Sequence, residues 1–477
     1  MSRARTADTP DVTDPNWAWQ PYRPSEAAPW NGRRAAHLLR RAGFGGTWSE
    51  IQAAVAAGPE ATLERLFAGG PDTAAFDAEA RSTIASLIAV GGKQDLPAWW
   101  LFVMLHGGHP LREKLTLFWH GHFATSAAKV TDQQLMLEQN ELLRKHALGN
   151  FRELVGAMGR DTAMLLWLDS SVNRKGRPNE NFAREVMELF CLGTGHYTER
   201  DIKEAARCFT GWEVHNNRFW YNAAQHDAGV KQVLGARGNF DGDEVIDVLL
   251  EQPAAARFIV RKLFRFFVAD EEPSEAASAG TPNSTAARPS DEFIEPLAAR
   301  FRASGYDVAD VLRTMLSSNY FYSEAALGRR IKSPIEFAVG LIRGLEGKTD
   351  HYALAADLAA LGQQVFYPPT VKGWNGGREW ITTYSLLSRT NLVAALVGGG
   401  GRYGRTLGLD RAPALADVSD AGELIERLTA LLLGVDVPAD VRKSLEKIAV
   451  RQAGEEEYAR RGRVVHALAS LPEFQLA

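Results

Sequence analysis

The sequence predicts a mainly α-helical fold, and three observations support this prediction. Apolar residues recur at helical spacing along most of the chain; in residues 179–190, for example, Phe182, Val186 and Phe190 fall on one face. The sequence contains no alternating series of strands and helices, and no glycine-rich nucleotide-binding motif. Hydrophobic residues make up 45% and charged residues 23% of the 477 residues, as in a soluble globular protein with two or three packed units.

The predicted helices follow an N-terminal arm, residues 1–28, which is rich in Pro, Asp and Thr. We expect this arm to be partly ordered, held by Trp17, Trp19 and Tyr22. The first helix follows directly and is expected to end at Gly43. Further helices are predicted at residues 47–57, 59–68, 97–107, 111–122, 131–148, 150–159, 161–169, 179–190, 198–211, 243–251, 253–268, 291–303, 307–315, 333–346, 351–362 and 383–398, with four more helical segments in 420–472.

One small β-hairpin is predicted near residues 212–222. Val214 and Tyr221 flank the adjacent Asn216 and Asn217, and asparagine tolerates the positive φ angles of a tight hairpin turn. We therefore expect a single hairpin region in an otherwise helical body.

A segment of low hydrophobicity divides the chain. Residues 270–290 are rich in Ser, Ala, Pro, Thr and Glu and lack the apolar residues needed to pack, so we expect a flexible, disordered insertion. The predicted units on either side are a helical core unit at 29–269, a second helical unit at 291–400 and a C-terminal helical segment at 401–477.

Charge and cysteine content exclude several classes of protein. The net charge is −4, from 54 basic and 58 acidic residues, which argues against a nucleic-acid-binding protein. Cys191 and Cys208 are too few for a disulfide framework. The N-terminus lacks the apolar region of a secretory signal, and no apolar run approaches the length of a membrane span. We expect a soluble, cytoplasmic protein.

An acidic pair lies on the helix predicted at 179–190. At about 100° per residue, Asn181, Glu185 and Glu188 form a stripe beside the apolar face, and Arg184 lies further round. Two carboxylates at this spacing can hold one cation, or can share a proton because like charges raise one pKa. They also fit a solvated helix flank, so both interpretations stay open.

A His-x-His pair, His120 and His122, ends the helix predicted at 111–122. On a helical wheel, His122 shares the apolar face and His120 points to the opposite side. If Gly121 breaks the helix, an extended chain places both imidazoles on one side, at a spacing suited to a metal ion. The alternative is an ordinary hydrogen-bonded core histidine.

A polar segment between residues 166 and 181 precedes the acidic helix and carries Lys175 and Arg177. Together with the backbone amides at the helix start, these cations suit a phosphate or carboxylate group. An exposed loop without a ligand explains the same residues.

His226 and Asp227 follow the predicted hairpin. A neighbouring carboxylate can orient a catalytic imidazole, and the pair can also bind a cation. A plain turn is the alternative.

A long loop with two tryptophans precedes the helix predicted at 383–398. Gly373 and neighbouring glycines allow tight bends in it. Trp374 and Trp380 offer flat faces that can stack on a sugar ring or clamp a ligand. The alternative is that both tryptophans anchor the loop to the helices.

Six segments of the chain carry motifs that occur together. They read RRAAHLLRRAGFG, HPLREKLTLFWHGHFATS, RKGRPNENFAREVMELFCLGTGHYTERDIKEAARCFTGW, HDAGVKQVLGARGNFDG, KSPIEF and LGQQVFYPPTVKGWNGGREWITT. Over roughly residues 30–400 they resemble the bacterial family catalogued as domain of unknown function 1800. The resemblance implies no particular activity. Relatives are often encoded beside a second family that resembles sulfatases and alkaline phosphatases, which implies a shared pathway or complex, and many relatives carry export signals.

The resemblance also marks individual positions. The polar motifs of the family fall on His120, His122, Asn179, Glu180, Asn181, Arg184, Glu185, Glu188, Thr210, Gly211, Trp212, His226, Asp227, Pro368, Pro369, Gly373 and Trp374. Where the family commonly has Asn between the two histidines, this chain has Gly121. The resemblance implies that these clusters form one site, but it assigns no roles.

The leading hypothesis from the sequence is a metal-assisted enzyme that carries out hydrolysis or group transfer on an anionic or carbohydrate-like substrate. The alternative is a non-catalytic binding or assembly protein, with a protein of the sulfatase-like family as its partner, whose buried polar network is structural. The predicted ligands of one divalent metal ion are His120, His122, Glu185 and Glu188; the predicted catalytic residues are Glu185, Glu188, Arg184 and His226; the predicted substrate-binding residues are Lys175, Arg177, Asn181, Trp374 and Trp380.

Overall fold

The structure is a computed structural model that describes residues 11–270, 290–405 and 407–477, and helices dominate it, as predicted. The helices are α1 (Pro15–Ala18), α2 (Gly32–Ala42), α3 (Trp48–Ala57), α4 (Pro59–Ala68), α5 (Thr73–Val90), α6 (Asp95–His106), α7 (Pro110–His122), α8 (Gln133–Lys145), α9 (Phe151–Gly159), α10 (Thr162–Trp167), α11 (Glu180–Glu185), α12 (Glu199–Cys208), α13 (Gly242–Leu250), α14 (Pro253–Phe267), α15 (Asp291–Ala303), α16 (Val308–Leu316), α17 (Pro334–Gly344), α18 (His351–Ala360), α19 (Thr383–Val397), α20 (Ala421–Leu432), α21 (Ala439–Ala449) and α22 (Glu457–Ala469). A π-helix, Val186–Cys191, continues α11 directly.

Capping side chains explain where many of these helices begin. Thr198 and Asp201 form the capping box of α12, and Thr382 accepts a hydrogen bond from the amide of Ser385 at the start of α19. Ser333 and Glu336 cap α17 in the same way. These residues satisfy amide groups that have no partner within the first helical turn.

Two helical features differ from the sequence-based expectation. The 18-residue helix α5 was not predicted, because it buries only Ala80 and Ile84 and therefore shows little apolar periodicity. Of the four helical segments expected in 420–472, three are α-helices, and a short 3-10 turn, Pro472–Gln475, follows them.

The predicted hairpin is present, and a second one accompanies it. Strands β1 (Trp212–His215) and β2 (Arg218–Tyr221) pair antiparallel, and the two turn asparagines have φ angles of 49° and 55°. Strands β3 (Lys231–Val233) and β4 (Ala236–Gly238) form the second hairpin. This second hairpin was not predicted, because three-residue strands leave almost no alternating pattern in the sequence.

Two hydrophobic cores hold the described residues together. The first contains residues of the N-terminal arm, of α7, α8 and α9, and of the helices from α11 to α16. The second joins α3 and α6 to the helices from α17 to α22. Helices α2 and α7 contribute to both, with Phe118 in the first core and Leu117 in the second. The division into units at 29–269, 291–400 and 401–477 stays a prediction. Each of the two cores contains residues from more than one of these units.

The N-terminal arm is attached to the first core by its aromatic residues. The indole of Trp19 donates a hydrogen bond to the carbonyl oxygen of Phe293 at 2.8 Å, and the hydroxyl of Tyr22 donates to that of Ala28. Residues 1–10 of the arm and residues 271–289 of the predicted insertion lie outside the described residues. No helix of the described ranges has both the length and the apolar character needed to cross a bilayer.

Candidate ligand-binding site

An open cavity of about 150 Å³ lies at the boundary between the two cores. Its walls come from the C-terminal end of α7, from α14, from the segment before α17, and from a loop at residues 366–382 that we call the Trp loop. Gly121 and His122 line it on α7, and Trp374 and Trp380 line it on the Trp loop. The cavity therefore combines segments that are distant in the sequence.

The charge on the cavity wall is predominantly positive. Lys262 and Arg265 of α14 line it together with Arg330 and Lys372, whereas Asp270 is the one acidic residue among the lining residues. The carboxylate of Asp270 already accepts a hydrogen bond from the amide of Ile331 at 2.7 Å. A wall of this composition attracts anions.

Lys262 is the cavity cation whose charge is most sensitive to its surroundings. Its ammonium group lies 3.5 Å from the carbonyl oxygen of Leu189 and 5.0 Å from the ring centre of Phe258. Burial, and then the charge of Arg265, lowers the pKa of Lys262 to about 7. An anion bound beside it would favour the protonated form.

Arg330 is held in place from behind the cavity. Its guanidinium group donates to a carboxylate oxygen of Glu336, which also accepts from the buried ammonium group of Lys114. The other carboxylate oxygen accepts from the amide of Ser333 at 2.9 Å. Burial alone would raise the pKa of Glu336, but the charges of Arg330 and Lys114 lower it. Glu336 is therefore a buried anion that fixes two cations.

The Trp loop packs tightly on the end of α7. Gly373 has a φ of +74°, and a Cβ atom there would lie 2.2 Å from the carbonyl oxygen of Gly121. The ring of Trp374 lies 5.7 Å from that of His120, centre to centre. The side chain of Arg265 donates to the carbonyl oxygen of Asn375 at 2.5 Å. These contacts hold the half-buried Trp374 at the rim of the cavity, which the half-buried Trp380 also lines.

The two predicted histidine ligands face different surroundings. Gly121 stays within α7, so the helix is not broken between them. The Nε2 atom of His120 accepts a hydrogen bond from the amide of Phe366 at 2.9 Å, and burial lowers the pKa of His120 to about 3. His122 lines the cavity, and its Nε2 atom donates to the carbonyl oxygen of Phe190 at 3.1 Å.

The predicted acidic pair lies where α11 passes into the π-helix, a helix type that often marks functional sites. The hydroxyl of Tyr197 donates to Glu188 at 3.1 Å, and the ammonium group of Lys372 lies 4.0 Å from the same carboxylate. Burial, and then the charge of Glu188, raises the pKa of Glu185. Through Lys372, the pair adjoins the rim of the cavity.

The remaining predicted residues of this region lie on the surface. Arg184 forms a two-bond ion pair with Glu199, both bonds at 2.8 Å, and Asn181, Lys175 and Arg177 are exposed. None of these four is among the residues that line the cavity. The ion pair between Arg184 and Glu199 therefore joins α11 to α12.

His226 lies in a separate hydrogen-bonded cluster. Its Nδ1 atom donates to the carbonyl oxygen of Thr210 at 2.9 Å, and its Nε2 atom lies 3.4 Å from the ammonium group of Lys231. Asp227 forms an ion pair with Arg207 at 2.7 Å. These contacts join the second hairpin to α12, and none of the residues lines the cavity.

The four predicted metal ligands have different hydrogen-bond partners, and a metal ion shared by them stays a prediction. The imidazole nitrogen of His120 that lacks a proton accepts a hydrogen bond from the amide of Phe366, and Glu188 accepts one from Tyr197. His122 donates through Nε2 to the carbonyl oxygen of Phe190, and its Nδ1 atom has no hydrogen-bond partner among the described residues. Among the residues that the structure describes, no group of three or more His, Cys, Asp or Glu side chains is arranged to hold a metal ion.

Sequence reasoning missed the cations of the cavity. Lys262 and Arg265 were counted only as part of a helix, although charged residues three apart among phenylalanines were a usable signal. Lys372 lies within the loop that carries the two tryptophans, and Arg330 lies two residues before the KSPIEF segment, but neither cation was predicted to bind a ligand. Their convergence depends on tertiary packing between α14, α17 and the Trp loop.

Comparison with known proteins identifies one family. The profile of the family described as "Protein of unknown function (DUF1800)" matches residues 37–476, which is most of the chain. Neither the curated proteins nor the solved structures include a significant match.

Proposed function

Since the chain belongs to the DUF1800 family, whose function is unknown, we propose its function from the cavity: it binds a small anionic ligand that carries a ring, such as a sugar phosphate or a sugar acid. The observation that carries this proposal is the convergence of four cations and two tryptophans on one cavity of about 150 Å³. This proposal uses the anionic or carbohydrate-like ligand that the sequence predicts, and it does not require the predicted metal ion.

The cations and the tryptophans favour different parts of such a ligand. Arg265 and Lys372 are exposed enough to meet an anionic group, and Lys262 can form a charge-assisted hydrogen bond with it. The half-buried faces of Trp374 and Trp380 suit the apolar face of a sugar ring. Cavities with a few convergent polar groups and perturbed pKa values are typical ligand sites.

Replacing Lys262 with Met should weaken the binding of glucose 6-phosphate by about 10- to 100-fold, since a hydrogen bond to a charged group contributes about 1.5–3 kcal/mol. A bound anion raises the pKa of Lys262 from about 7. Binding therefore takes up a proton, and the affinity of the unsubstituted protein should fall as the pH rises above about 7. Calorimetric titration at several pH values measures both effects.

Two controls make this result specific. Lys203→Met removes an exposed lysine of α12 that does not line the cavity, so it should leave affinity and pH dependence unchanged. Glucose should bind more weakly than glucose 6-phosphate or glucuronate. Equal binding of neutral and anionic sugars, or no change in Lys262→Met, would contradict the proposal.

A second candidate function is proton transfer by Glu185 and Glu188 at the rim of the cavity. The observation that favours it is the raised pKa of Glu185, which burial and the neighbouring carboxylate produce. Tyr197, whose pKa is raised to about 12 by burial and then by its bond to Glu188, orients one member of the pair. A carboxyl group whose pKa is raised keeps its proton to a higher pH, which suits a general acid.

Replacing Glu185 with Gln should raise the melting temperature slightly at pH 8, by about 1 °C. A carboxyl group whose pKa is raised on folding binds its proton more tightly in the folded protein, so stability falls as the pH rises through that pKa. Glu185→Gln has no carboxyl group and therefore does not lose this stability at pH 8. At pH 4 its melting temperature should equal that of the unsubstituted protein. Differential scanning calorimetry measures it. A structural network would instead lose about 1–3 kcal/mol at both pH values.

A further inference from the structure

The Trp loop contains an Asn–Gly pair, Asn375 and Gly376, and both residues line the candidate cavity. An asparagine followed by glycine loses its side-chain amide readily, because glycine has no side chain to obstruct attack by its backbone nitrogen on the preceding carboxamide. Asn375 is exposed and lies outside every helix and strand of the described residues. The pair therefore joins a reactive dipeptide to a position that water can reach.

The backbone nitrogen of Gly376, which is the attacking atom in this chemistry, is free to react. Among the described residues, its N–H group has no hydrogen-bond partner. A Cβ atom built at Gly376 would have no contact closer than 3.7 Å, so there is space beside the backbone at this point. Attack on the carboxamide of Asn375 therefore requires no backbone hydrogen bond to break.

Arg265 lies where it can make this nitrogen more acidic. Its guanidinium group donates to the carbonyl oxygen of Asn375, which belongs to the same peptide group as the nitrogen of Gly376. When that nitrogen loses its proton, the negative charge spreads onto this oxygen. A charge-assisted hydrogen bond from a guanidinium group stabilises such an oxygen.

The departing group of Asn375 is also held in place. Its side-chain amide nitrogen donates to a carboxylate oxygen of Glu379 at 2.8 Å. This contact fixes the orientation of the carboxamide beside the backbone of the loop. It also means that a negative charge created on residue 375 would lie close to a second carboxylate.

We propose that Asn375 is a site of spontaneous deamidation, assisted by Arg265, which turns a neutral side chain of the cavity wall into a carboxylate. The nitrogen of Gly376 gives its proton to the solvent and attacks the side-chain carbonyl carbon of Asn375. The bond from that carbon to the amide nitrogen breaks, and ammonia leaves with a proton from the solvent. Water then opens the cyclic imide at either carbonyl group, which yields aspartate or isoaspartate.

The chain contains an internal comparison, because the tripeptide Trp-Asn-Gly occurs a second time at residues 30–32. There Asn31 is the N-cap of α2, and its side-chain oxygen accepts a hydrogen bond from the amide of Arg34 at 3.2 Å. Attack by the nitrogen of Gly32, the first residue of α2, would require this cap to break. We expect Asn31 to react more slowly than Asn375.

The new carboxylate would change the charge of the cavity wall. It would lie beside Arg265 and would partly offset the positive charge there. This consequence rests on the function proposed above, whereas the deamidation itself does not. The affinity for glucose 6-phosphate should fall by about two- to fivefold, which is the effect expected of an exposed charge.

Incubation of the full-length protein at pH 9, followed by mass spectrometry of its peptides, tests the modification without any ligand. In the folded protein, the mass increase from amide to acid should appear at least about 10-fold faster at Asn375 than at Asn31. In urea the two rates should converge, because the tripeptides are identical. Equal rates in the folded protein, or a faster reaction at Asn31, would overturn the proposal.

Arg265→Met should slow the reaction at Asn375 by about 10-fold, the contribution of one hydrogen bond to a charged group. Removal of a merely structural contact would loosen the loop and speed the reaction instead, so an unchanged or faster rate would overturn the assistance by Arg265. Arg200→Met is the matched control, since it removes an exposed arginine of α12 that does not line the cavity, and its rate should be unchanged.

Asn375→Gln separates the modification from its effect on the ligand. Glutamine keeps the carboxamide but forms a cyclic imide far more slowly, so this variant should show no mass increase at residue 375. After the same incubation, it should keep its affinity for glucose 6-phosphate while the unsubstituted protein loses affinity. If fresh protein does not bind this ligand, the proposed function fails, and the mass measurement still decides whether Asn375 is deamidated.

Discussion

Replacing Glu336 with Gln should lower the free energy of unfolding by about 3–5 kcal/mol, because it leaves two buried cations without their anion. Gln keeps the shape of the side chain, so the packing around Lys114 and Arg330 is preserved while the charge is lost. The loss should be larger at pH 6 than at pH 9. Burial lowers the pKa of Lys114 to about 8, and without Glu336 that lysine loses its proton more readily as the pH rises.

Urea denaturation at both pH values measures this effect. Glu324→Gln is the control, since it removes an exposed partner of Arg33 and should change stability by less than about 1 kcal/mol. In the unsubstituted protein, the lowered pKa of Glu336 stabilises the fold above the ordinary carboxyl pKa, and this contribution is lost as the pH falls. A loss of less than 1 kcal/mol in Glu336→Gln would show that the ion pairs are not needed to hold α7 against α17.

Replacing Gly373 with Ala should displace the Trp loop from α7 and weaken the binding of glucose 6-phosphate by more than about tenfold. The backbone strain at a φ of +74° costs about 1–3 kcal/mol. In addition, the new methyl group would lie 2.2 Å from the carbonyl oxygen of Gly121, so the two backbone segments must move apart. Trp374 would then no longer keep its place at the rim.

Gly362→Ala separates these two contributions. Gly362 has a φ of +91°, but a Cβ atom there meets nothing within 4 Å. This control should lose stability through strain while keeping its affinity for glucose 6-phosphate. Thermal melting and calorimetric titration of both variants make the comparison. If Gly373→Ala binds as tightly as Gly362→Ala, then the close contact with Gly121 does not position the Trp loop.

The helical class and most helices were predictable because apolar residues recur on one face of each. The hidden exception is α5, whose exposed surface gives no such pattern. The π-helix was equally hidden, since Glu185 and Glu188 have the same sequence spacing in either helix type. Apolar periodicity indicates which residues face the core, but it does not indicate where an α-helix changes to a π-helix.

The candidate site was only partly predictable. His122, Trp374 and Trp380 were selected from sequence and line the cavity, whereas Lys262 and Arg265 were not selected. The tryptophans were conspicuous as rare residues in a glycine-rich loop. The cations looked like ordinary helix-surface residues, because only the packing of α14 against the Trp loop turns them towards a shared space.

The direction in which the side chain of Glu185 points depends on the number of residues in the π-helix Val186–Cys191. Removing any single residue within it would restore ordinary helical hydrogen bonding and swivel the preceding turn by about 100° relative to the following one. The residues of the acidic motif would then be unchanged, but the side chain of Glu185 would point in a different direction. Homologues of this chain should therefore be aligned by the number of residues between Glu185 and Cys191 before their carboxylates are equated.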